Sequence, residues 1–435
     1  MADETLRRNL DRTFDPGPGY PDPLLLSRTM AMLEPPAAAA GRDGRWKGRE
    51  GSRLSWPRTG LRLAAALLII VLAIAAVGTF LVAHRALSPS VPAGPPPPRG
   101  TIVFGRVVNT NDNEHIFTIR ADGSGEKELV ATSTCCVVWS HKGDRLSLTT
   151  SPAGGSSSGI TKAIVKADGS DYRVWPLDTS GLNLGATAWS PDDSRLALEG
   201  WDNSRPSLNG LYTADVTDGG NRRRLTTTTA ALHDIPISYS PNGSRILFWR
   251  GQPDAQTQGQ LFLVDADGTH LTQVSPPGMR VWVGFFGDPG GWSPDGSQIS
   301  FAATSSTASD PGRSAVFVAA GDGTNSKRIS DWGDYTTSAR WSPTGDWIVF
   351  DTINAAAGAH TLFLVHPDGS GTTPITPLPG GCCAVWSPGG DRLVFTRGSS
   401  DQVLDLWTVM VDGSHLTQLT HSPASLTDIG WSATA

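Results

Sequence analysis

A ten-residue cassette that begins with an aromatic residue and Ser recurs through most of this 435-residue chain. Its complete copies are WSHKGDRLSL (139–148), WSPDDSRLAL (189–198), YSPNGSRILF (239–248), WSPDGSQISF (292–301), WSPTGDWIVF (341–350) and WSPGGDRLVF (386–395). A seventh copy begins at Trp431 as WSATA, and the aromatic anchors are 45 to 53 residues apart. Such a period restricts the chain to a repeat architecture, because each unit buries its apolar face only against a neighbouring unit.

An Asp-Gly pair flanked by two short runs of β-type residues closes each repeat unit. The copies are IFTIRADGSGEKEL (116–129), AIVKADGSDYRV (163–174), LYTADVTDGGNRRRL (211–225), LFLVDADGTHLTQV (261–274), VFVAAGDGTNSKRI (316–329), LFLVHPDGSGTTPI (362–375) and LWTVMVDGSHLTQL (406–419). Asp-Gly is a strong hairpin signal, and the Ser-Pro cassette sets a second tight turn. Each unit therefore predicts four strands, and seven units predict an all-β, seven-bladed β-propeller over residues 100–435.

The two ends of the array predict how the ring closes. The seventh cassette lacks the strand that follows Trp in the other copies, whereas TIVFGR (101–106) is such a strand without a preceding Trp. We therefore expect the C-terminal strand to join the three N-terminal strands in one blade. Closure of this kind removes free sheet edges, which would otherwise pair with other chains.

The cassettes resemble the WD40-like repeats in the propeller domain of TolB and related periplasmic proteins. The resemblance is carried by the W-S-P-D-G turn, the following strand and the hairpin LFLVDADGTHLTQ, and it covers residues 100–435. It implies the propeller fold. It implies no single activity, because similar repeats occur in the propeller domains of prolyl-oligopeptidase-like enzymes, and no TolB role in outer-membrane maintenance is carried over.

The segment Leu63–Ala83 contains 21 consecutive residues without a charge, a length that matches the hydrocarbon core of a bilayer. Seven Lys and Arg residues lie between 42 and 62, just before it. This bias predicts a single transmembrane helix over 61–84 with a cytoplasmic N-terminus and an extracytoplasmic propeller. Residues 1–60 are then a mostly disordered cytoplasmic tail, and the Pro-rich residues 85–99 form a spacer.

The distribution of charge argues against a nucleic-acid partner. Residues 1–85 carry 12 Lys and Arg against 8 Asp and Glu, whereas the rest of the chain carries 23 against 33. Residues 86–435, which contain the predicted propeller, therefore have a net charge of −10, which would repel a phosphate backbone.

Motifs that would identify an enzyme do not occur in the sequence. We find no G-x-S-x-G elbow followed by a helical pattern, no P-loop and no H-E-x-x-H. The Asp-Gly pairs are explained by hairpins rather than by calcium loops, because the later calcium ligands are missing. No cofactor and no metal site is therefore predicted.

Two sets of side chains map to the face on which the innermost strands begin. Aromatic residues that could clamp a peptide or stack on a sugar, or instead pack between blades, are Trp282, Phe285, Phe286, Trp332 and Tyr335. Polar residues on the same face, which are ligand-binding candidates or simply solvated loop residues, are His233, Asp234, His421, His115, His360 and Asp428.

The only four cysteines form two adjacent pairs, each three and four residues before a cassette Trp. An extracytoplasmic location favours oxidised over free thiols. We expect vicinal disulfides, Cys135–Cys136 and Cys382–Cys383; bridges between the pairs, free thiols and a metal site are the alternatives.

The leading functional hypothesis is a non-enzymatic, membrane-anchored binding module for an extracytoplasmic protein, peptide or glycan. One alternative is a transmembrane sensor or scaffold that signals through residues 1–60. Another is a metal-dependent lyase or lactonase at the channel mouth, with His233 and His421 as candidate ligands.

Overall fold

The strands of this chain form seven sheets, as described by a computed structural model. The described residues belong to one compact unit, Ala93–Ala435. The described ranges are 98–107, 114–131, 134–151, 159–228, 232–252, 259–281, 290–307, 311–354, 359–375, 381–400, 403–421 and 424–433.

Each sheet has four strands in order from the axis of the ring to its outside. The innermost strands, which contact their counterparts in neighbouring sheets, are β4 (Thr134–Trp139), β8 (Asn183–Trp189), β12 (His233–Tyr239), β26 (Gly381–Trp386) and β30 (Leu426–Ser432). In two sheets the innermost strand consists of two segments, β16 (Met279–Arg280) with β17 (Gly290–Trp292), and β21 (Tyr335–Thr336) with β22 (Arg340–Trp341).

The second strands run antiparallel to the innermost strands, and in blades 1 to 6 they follow the turn of the cassette. They are β1 (Thr101–Val107), β5 (Arg145–Thr150), β9 (Arg195–Trp201), β13 (Arg245–Gly251), β18 (Gln298–Ser305), β23 (Ile348–Asn354) and β27 (Arg392–Ser400). The third strands are β2 (Glu114–Arg120), β6 (Thr161–Lys166), β10 (Gly210–Asp215), β14 (Gln260–Asp265), β19 (Ser314–Ala320), β24 (Ala359–Val365) and β28 (Val403–Met410).

The outer strands follow the Asp-Gly hairpins and are short. They are β3 (Lys127–Val130), β7 (Arg173–Val174), β11 (Arg223–Arg224), β15 (Thr272–Gln273), β20 (Lys327–Arg328), β25 (Thr373–Pro374) and β29 (Thr417–Gln418). A 3-10 turn, Pro206–Leu208, precedes β10. We number the blades by their innermost strands, from blade 1 (β4–β7) to blade 6 (β26–β29), with blade 7 formed by β30, β1, β2 and β3.

The apolar core lies between adjacent blades. In one cluster Leu247 and Trp249 of blade 3 pack against Ile299 and Phe301 of blade 4. The cassette tryptophans also join the blades: the indole N–H of Trp189 donates to the carbonyl of Val138 in blade 1 at 3.1 Å. Repetition of the Trp cassette therefore supplies apolar area and an inter-blade hydrogen bond together.

The seven-bladed propeller and its closure are confirmed. The C-terminal strand β30 pairs with the N-terminal strand β1, with Thr101 opposite Ser432 and Ile102 opposite Trp431. The indole of Trp431 also donates to the carbonyl of Arg99 at 3.0 Å. Blade 7 therefore depends on both ends of the repeat array.

The predicted membrane span 63–83, the tail 1–60 and most of the spacer 85–99 lie outside the described residues. Within the described ranges, no helix combines the length and the apolar character that crossing a membrane requires. The domain boundaries before residue 98 stay predictions.

Candidate functional site at the entrance of the innermost strands

Three consecutive blades begin their innermost strands with the same backbone irregularity. Cys383 in blade 6, Asp428 in blade 7 and Cys136 in blade 1 have φ values of 64°, 51° and 61°. Each lies three residues before its cassette Trp, within a register shift of the β-ladder. These are β-bulges with a left-handed residue, a conformation that costs a residue with a side chain about 1 kcal/mol or more. Interactions of the surrounding side chains must hold it.

The bulge in blade 1 is held by a carboxylate from blade 7. The backbone N–H groups of Cys136 and Val137 both donate to Oδ2 of Asp428, the second at 3.2 Å. Converging N–H groups at such a turn form a small anion-binding concavity. Asp428 was a predicted loop residue of this face, and the structure gives it a specific role at the junction between the closing blade and blade 1.

The sulfur atoms of the blade 1 pair lie in contact. Sγ of Cys135 is 2.7 Å from Sγ of Cys136, and both residues are partly exposed. The hydrogen bond to Cys135, together with burial, raises the pKa of the Cys136 thiol well above its ordinary value. The predicted vicinal disulfide therefore remains a prediction, placed on two sulfurs that already touch.

A buried lysine joins blade 1 to blade 2. Lys162 on β6 has no exposed surface, and its Nζ donates to Oγ1 of Thr149 at 2.6 Å and to the carbonyl of Gly185 at 2.9 Å. Gly185 lies in the irregular stretch of the next innermost strand. Burial lowers the pKa of Lys162 to about 8, against the opposing effects of the neighbouring cysteines and of Asp428 and Glu199.

Sequence reasoning missed Lys162, although the repeats contain the signal. The cross-strand registers place it at the third-strand position that apolar residues occupy in the six other blades. Those residues are Ile116, Leu211, Leu261, Val316, Leu362 and Leu406. One charge at a position that is otherwise apolar in every blade indicates a specific electrostatic role.

Glu114 is the second ionisable residue that sequence reasoning missed. It lies on β2 of blade 7 and accepts a hydrogen bond from the hydroxyl of Thr427. Gly105 permits this approach, because a Cβ there would be 1.7 Å from Oε1 of Glu114. Burial, reinforced by the negative charge of Asp428, raises the pKa of Glu114 to about 8.

Glu199 extends the contacts between charged side chains and bulged strands into blades 2 and 3. One carboxylate oxygen of Glu199 accepts the backbone N–H of Ala186 at 3.4 Å, and the other lies 2.6 Å from Nδ1 of His233. His233 is only 8% exposed and packs beside Trp201, with the ring centroids 5.9 Å apart. The structure thus pairs the predicted candidate His233 with a glutamate of the preceding blade.

Asp234 is fully buried and joins Arg250 of its own blade to Thr226, which is hydrogen-bonded to β10 of blade 2. Its carboxylate forms two 2.6 Å hydrogen bonds with the guanidinium of Arg250 and accepts one from the hydroxyl of Thr226. His233 and Asp234 are adjacent in sequence, but their side chains therefore have different partners. The structure does not bring them together as one site.

A separate polar group lies where blades 5 and 6 meet. The carboxylate of Asp351 accepts hydrogen bonds from the hydroxyls of Thr337 and Ser338, each at 2.7 Å, and Nδ1 of His360 is 3.9 Å away. Burial alone would raise the pKa of Asp351, but these hydrogen bonds and His360 outweigh it and hold the pKa below its ordinary value.

The blade 6 cysteines belong to this second group. Sγ of Cys382 lies 3.2 Å from Oγ1 of Thr396. The hydrogen bond from Cys383 lowers the pKa of Cys382, whereas that same bond and burial raise the pKa of Cys383 well above its ordinary value. If this pair is reduced, Cys382 is therefore the more acidic thiol of the two.

The predicted aromatic candidates have different positions. Trp332 packs edge-on against Phe317 at 6.0 Å and lies under the guanidinium of Arg328 at 4.9 Å, so it contributes to packing in blade 4. Tyr335, at the start of β21, is 45% exposed. Trp282, Phe285 and Phe286 lie outside the described residues.

The remaining histidine candidates are not gathered into a metal centre. Nδ1 of His115 lies 2.6 Å from Oε1 of Glu128 on β3, and His421 is exposed after β29. Within the described residues, no group of three His, Cys, Asp or Glu side chains is close enough to hold a metal ion. The described residues instead provide buried charges that contact backbone atoms at the bulges of the innermost strands.

Comparisons with known proteins place the chain among β-propellers. No family model and no curated protein matches it. An oligogalacturonate lyase solved in complex with manganese is 13% identical, with 68% of this chain and 82% of that chain covered and a TM-score of 0.54.

Two further solved structures have similar folds. A prolyl endopeptidase is 10% identical with a TM-score of 0.54; the match covers 74% of this chain but 50% of that enzyme. TolB from Acinetobacter baumannii is 16% identical, with 76% and 82% of the chains covered and a TM-score of 0.45. At these identities the two matches with a TM-score of 0.54 establish the fold and nothing further.

Proposed function

We propose that this seven-bladed β-propeller is a membrane-anchored, extracytoplasmic binding module that presents the channel-mouth face to a protein, peptide or glycan. The supporting observation is that the ionisable side chains at this face are already engaged. Asp428, Lys162 and Glu199 contact backbone atoms of strand bulges, and Asp234 is paired with Arg250. They stabilise the entrances of the innermost strands, and exposed side chains of the described residues beside them are available for recognition.

Tyr335 is the described residue best suited to contact a ligand there. It is a large side chain at the entrance of an innermost strand and is 45% exposed. Aromatic rings that remain accessible on a rigid scaffold supply contact area at a small cost in conformational entropy. Leu271 is 49% exposed but follows the Asp-Gly hairpin at the opposite end of blade 3, so it is a matched control.

The test is a peptide and glycan array probed with the full-length protein, followed by affinity measurements on the ligands retained. We expect Tyr335→Ala to weaken binding by about tenfold, as loss of a central aromatic contact does, and Leu271→Ala to leave it within about twofold. Equal losses in both variants would show that the ligand does not use this face. An array with no retained ligand would count against a peptide or glycan module.

A manganese titration of the same samples separates this proposal from the lyase alternative. The binding-module proposal predicts unchanged affinity and no shortened glycan after prolonged incubation with manganese. Cleavage that depends on both the added metal and His233 would contradict the proposal, because His233 here is paired with Glu199.

The membrane part of the proposal rests on the 21 uncharged residues Leu63–Ala83 and the basic residues before them. Deletion of residues 61–84 should move the protein from the membrane fraction to the supernatant. Protease added outside spheroplasts should degrade the propeller of the intact chain. A propeller protected until the cells are lysed would contradict the proposed orientation.

A further inference from the structure

At the bulge of blade 1, one backbone conformation accompanies both a sulfur–sulfur contact and hydrogen bonds to a carboxylate of another blade. The left-handed φ of 61° at Cys136 accompanies both the contact between the two sulfurs and the convergence of two N–H groups on Asp428. We propose that Cys135 and Cys136 are a redox-modified pair whose dithiol–disulfide equilibrium is coupled to closure of the propeller through Asp428.

Asp428 connects the pair to the strand that closes the ring. It lies on β30, which pairs with β1 and so joins the two ends of the repeat array in blade 7. Its carboxylate accepts N–H groups from blade 1, at a position 292 residues away from Cys136 in the chain. The carboxylate therefore holds the closing blade against the blade that contains the cysteine pair.

Thermodynamic linkage gives the direction of the coupling. The carboxylate stabilises the backbone conformation in which the sulfurs touch, so it should favour the disulfide over the dithiol. By reciprocity, the disulfide should favour the hydrogen bonds to Asp428 by the same factor. Asp428 is thus a positioning residue for the pair, and it does not contact the reacting sulfurs.

The second cysteine pair provides an internal control. Cys383 has the same conformation, with φ of 64°, in the same position of the repeat. The residue equivalent to Asp428 in the preceding blade is Ser338, whose hydroxyl donates to Asp351 at 2.7 Å. Among the described residues, no carboxylate is hydrogen-bonded to the N–H groups of Cys383 or Ala384, so the blade 6 pair lacks this coupling.

The modification is a two-electron oxidation by a small-molecule disulfide such as oxidised glutathione. The thiolate of one cysteine attacks the oxidant, which gives a mixed disulfide and releases one glutathione thiolate. The thiolate of the other cysteine then attacks the protein sulfur of that mixed disulfide, forms the Cys135–Cys136 bond and releases the second glutathione thiolate. The two protons lost by the cysteines are taken up by the two glutathione thiolates.

The main experiment equilibrates the full-length protein in glutathione buffers of graded potential and then alkylates the free thiols. Trypsin releases the two pairs in different peptides, 128–142 and 341–392, so mass spectrometry measures each midpoint separately. The variant is Asp428→Asn, because Asn tolerates a left-handed φ and removes only the charge. We expect the disulfide of the first pair to become about tenfold less stable, a shift of about 30 mV, and the second to stay unchanged.

Three results would overturn the proposal: equal shifts in both pairs, no shift in the first pair, or a first pair that stays reduced at every potential. A reciprocal measurement needs no Asp428 variant and decides the question if that variant fails to fold. In a Cys382→Ser/Cys383→Ser protein, we expect hydrogen exchange in peptides covering Leu426–Ser432 to slow about tenfold on oxidation. Exchange that is independent of redox state would refute the coupling, and Cys135→Ser/Cys136→Ser provides the baseline.

Discussion

The two cysteine pairs have the same sequence spacing and the same backbone conformation but different electrostatic surroundings. Near the blade 1 pair lie a buried ammonium, Lys162, and the carboxylate of Asp428 in the closing blade, which in turn acts on Glu114. Near the blade 6 pair lie Asp351 and His360, and the third-strand position equivalent to Lys162 holds Leu406. Repetition therefore reproduces the backbone, whereas single substitutions within the repeat decide what each copy can do.

Removal of the Lys162 ammonium in blade 1 should produce the largest difference in stability between the regions around the two cysteine pairs. Lys162→Met leaves the carbonyl of Gly185 without this donor and removes a positive charge near Asp428 and Glu199. We expect a loss of about 3 kcal/mol in the free energy of unfolding, measured by urea denaturation, because breaking a buried charge arrangement costs about that much.

The matched control is Leu406→Met, at the same repeat position in blade 6. That swap conserves volume and should cost less than about 1.5 kcal/mol. Stability of Lys162→Met equal to or above that of the unmodified protein would show that the desolvation of the lysine outweighs its contacts.

The contributions of Glu114 and Asp351 to the stability of the fold should also change with pH in opposite directions. Glu114 has a folded-state pKa raised from 4.5 to about 8, so its contribution to stability is fully present below pH 4.5 and is lost as pH rises through 8. Asp351 has a lowered pKa, so its contribution is present above pH 3.8 and is lost as pH falls through the lowered value.

Thermal unfolding from pH 3 to pH 9 tests this contrast in Glu114→Gln and Asp351→Asn. The advantage of Glu114→Gln over the unmodified protein should grow between pH 4.5 and 8. The deficit of Asp351→Asn should be greatest near neutral pH and shrink in acid. Parallel pH profiles for the two variants would contradict the assignment of different surroundings.

The smallest expected difference is in thiol reactivity after reduction. Because the hydrogen bond from Cys383 lowers the pKa of Cys382, and the pKa of Cys136 is raised, iodoacetamide should modify Cys382 at lower pH than Cys136. Peptide mass spectrometry of timed samples gives both rates. Thr396→Val should slow modification of Cys382 by about twofold, since it removes a weaker hydrogen bond to that sulfur. An unchanged rate would exclude a role for Thr396.

The fold could be predicted from the repeats alone. Seven cassettes that begin with an aromatic residue and Ser alternate with seven Asp-Gly hairpins and predict seven four-stranded blades, and the incomplete final cassette predicts that β30 closes blade 7. Such inferences succeed because turns and alternating strands are encoded locally, and the repeat supplies seven copies of each signal.

Individual candidate residues were only partly accessible from the sequence. The sequence offers His233 and Asp234 as candidates on one face, but it does not show that their side chains pair with Glu199 and Arg250. Lys162 could have been found by aligning the repeats, since it replaces an apolar residue.

The pairing of a carboxylate with a particular bulge depends on how the blades pack and cannot be read from the repeats. Asp428 and Cys136 are 292 residues apart and come together because the ring closes between blade 7 and blade 1. The raised pKa of Glu114 likewise results from burial and from the negative charge of Asp428, which together outweigh the hydrogen bond from Thr427. Local sequence determines strands and turns, but electrostatics depends on distance and burial, which exist only after the blades pack.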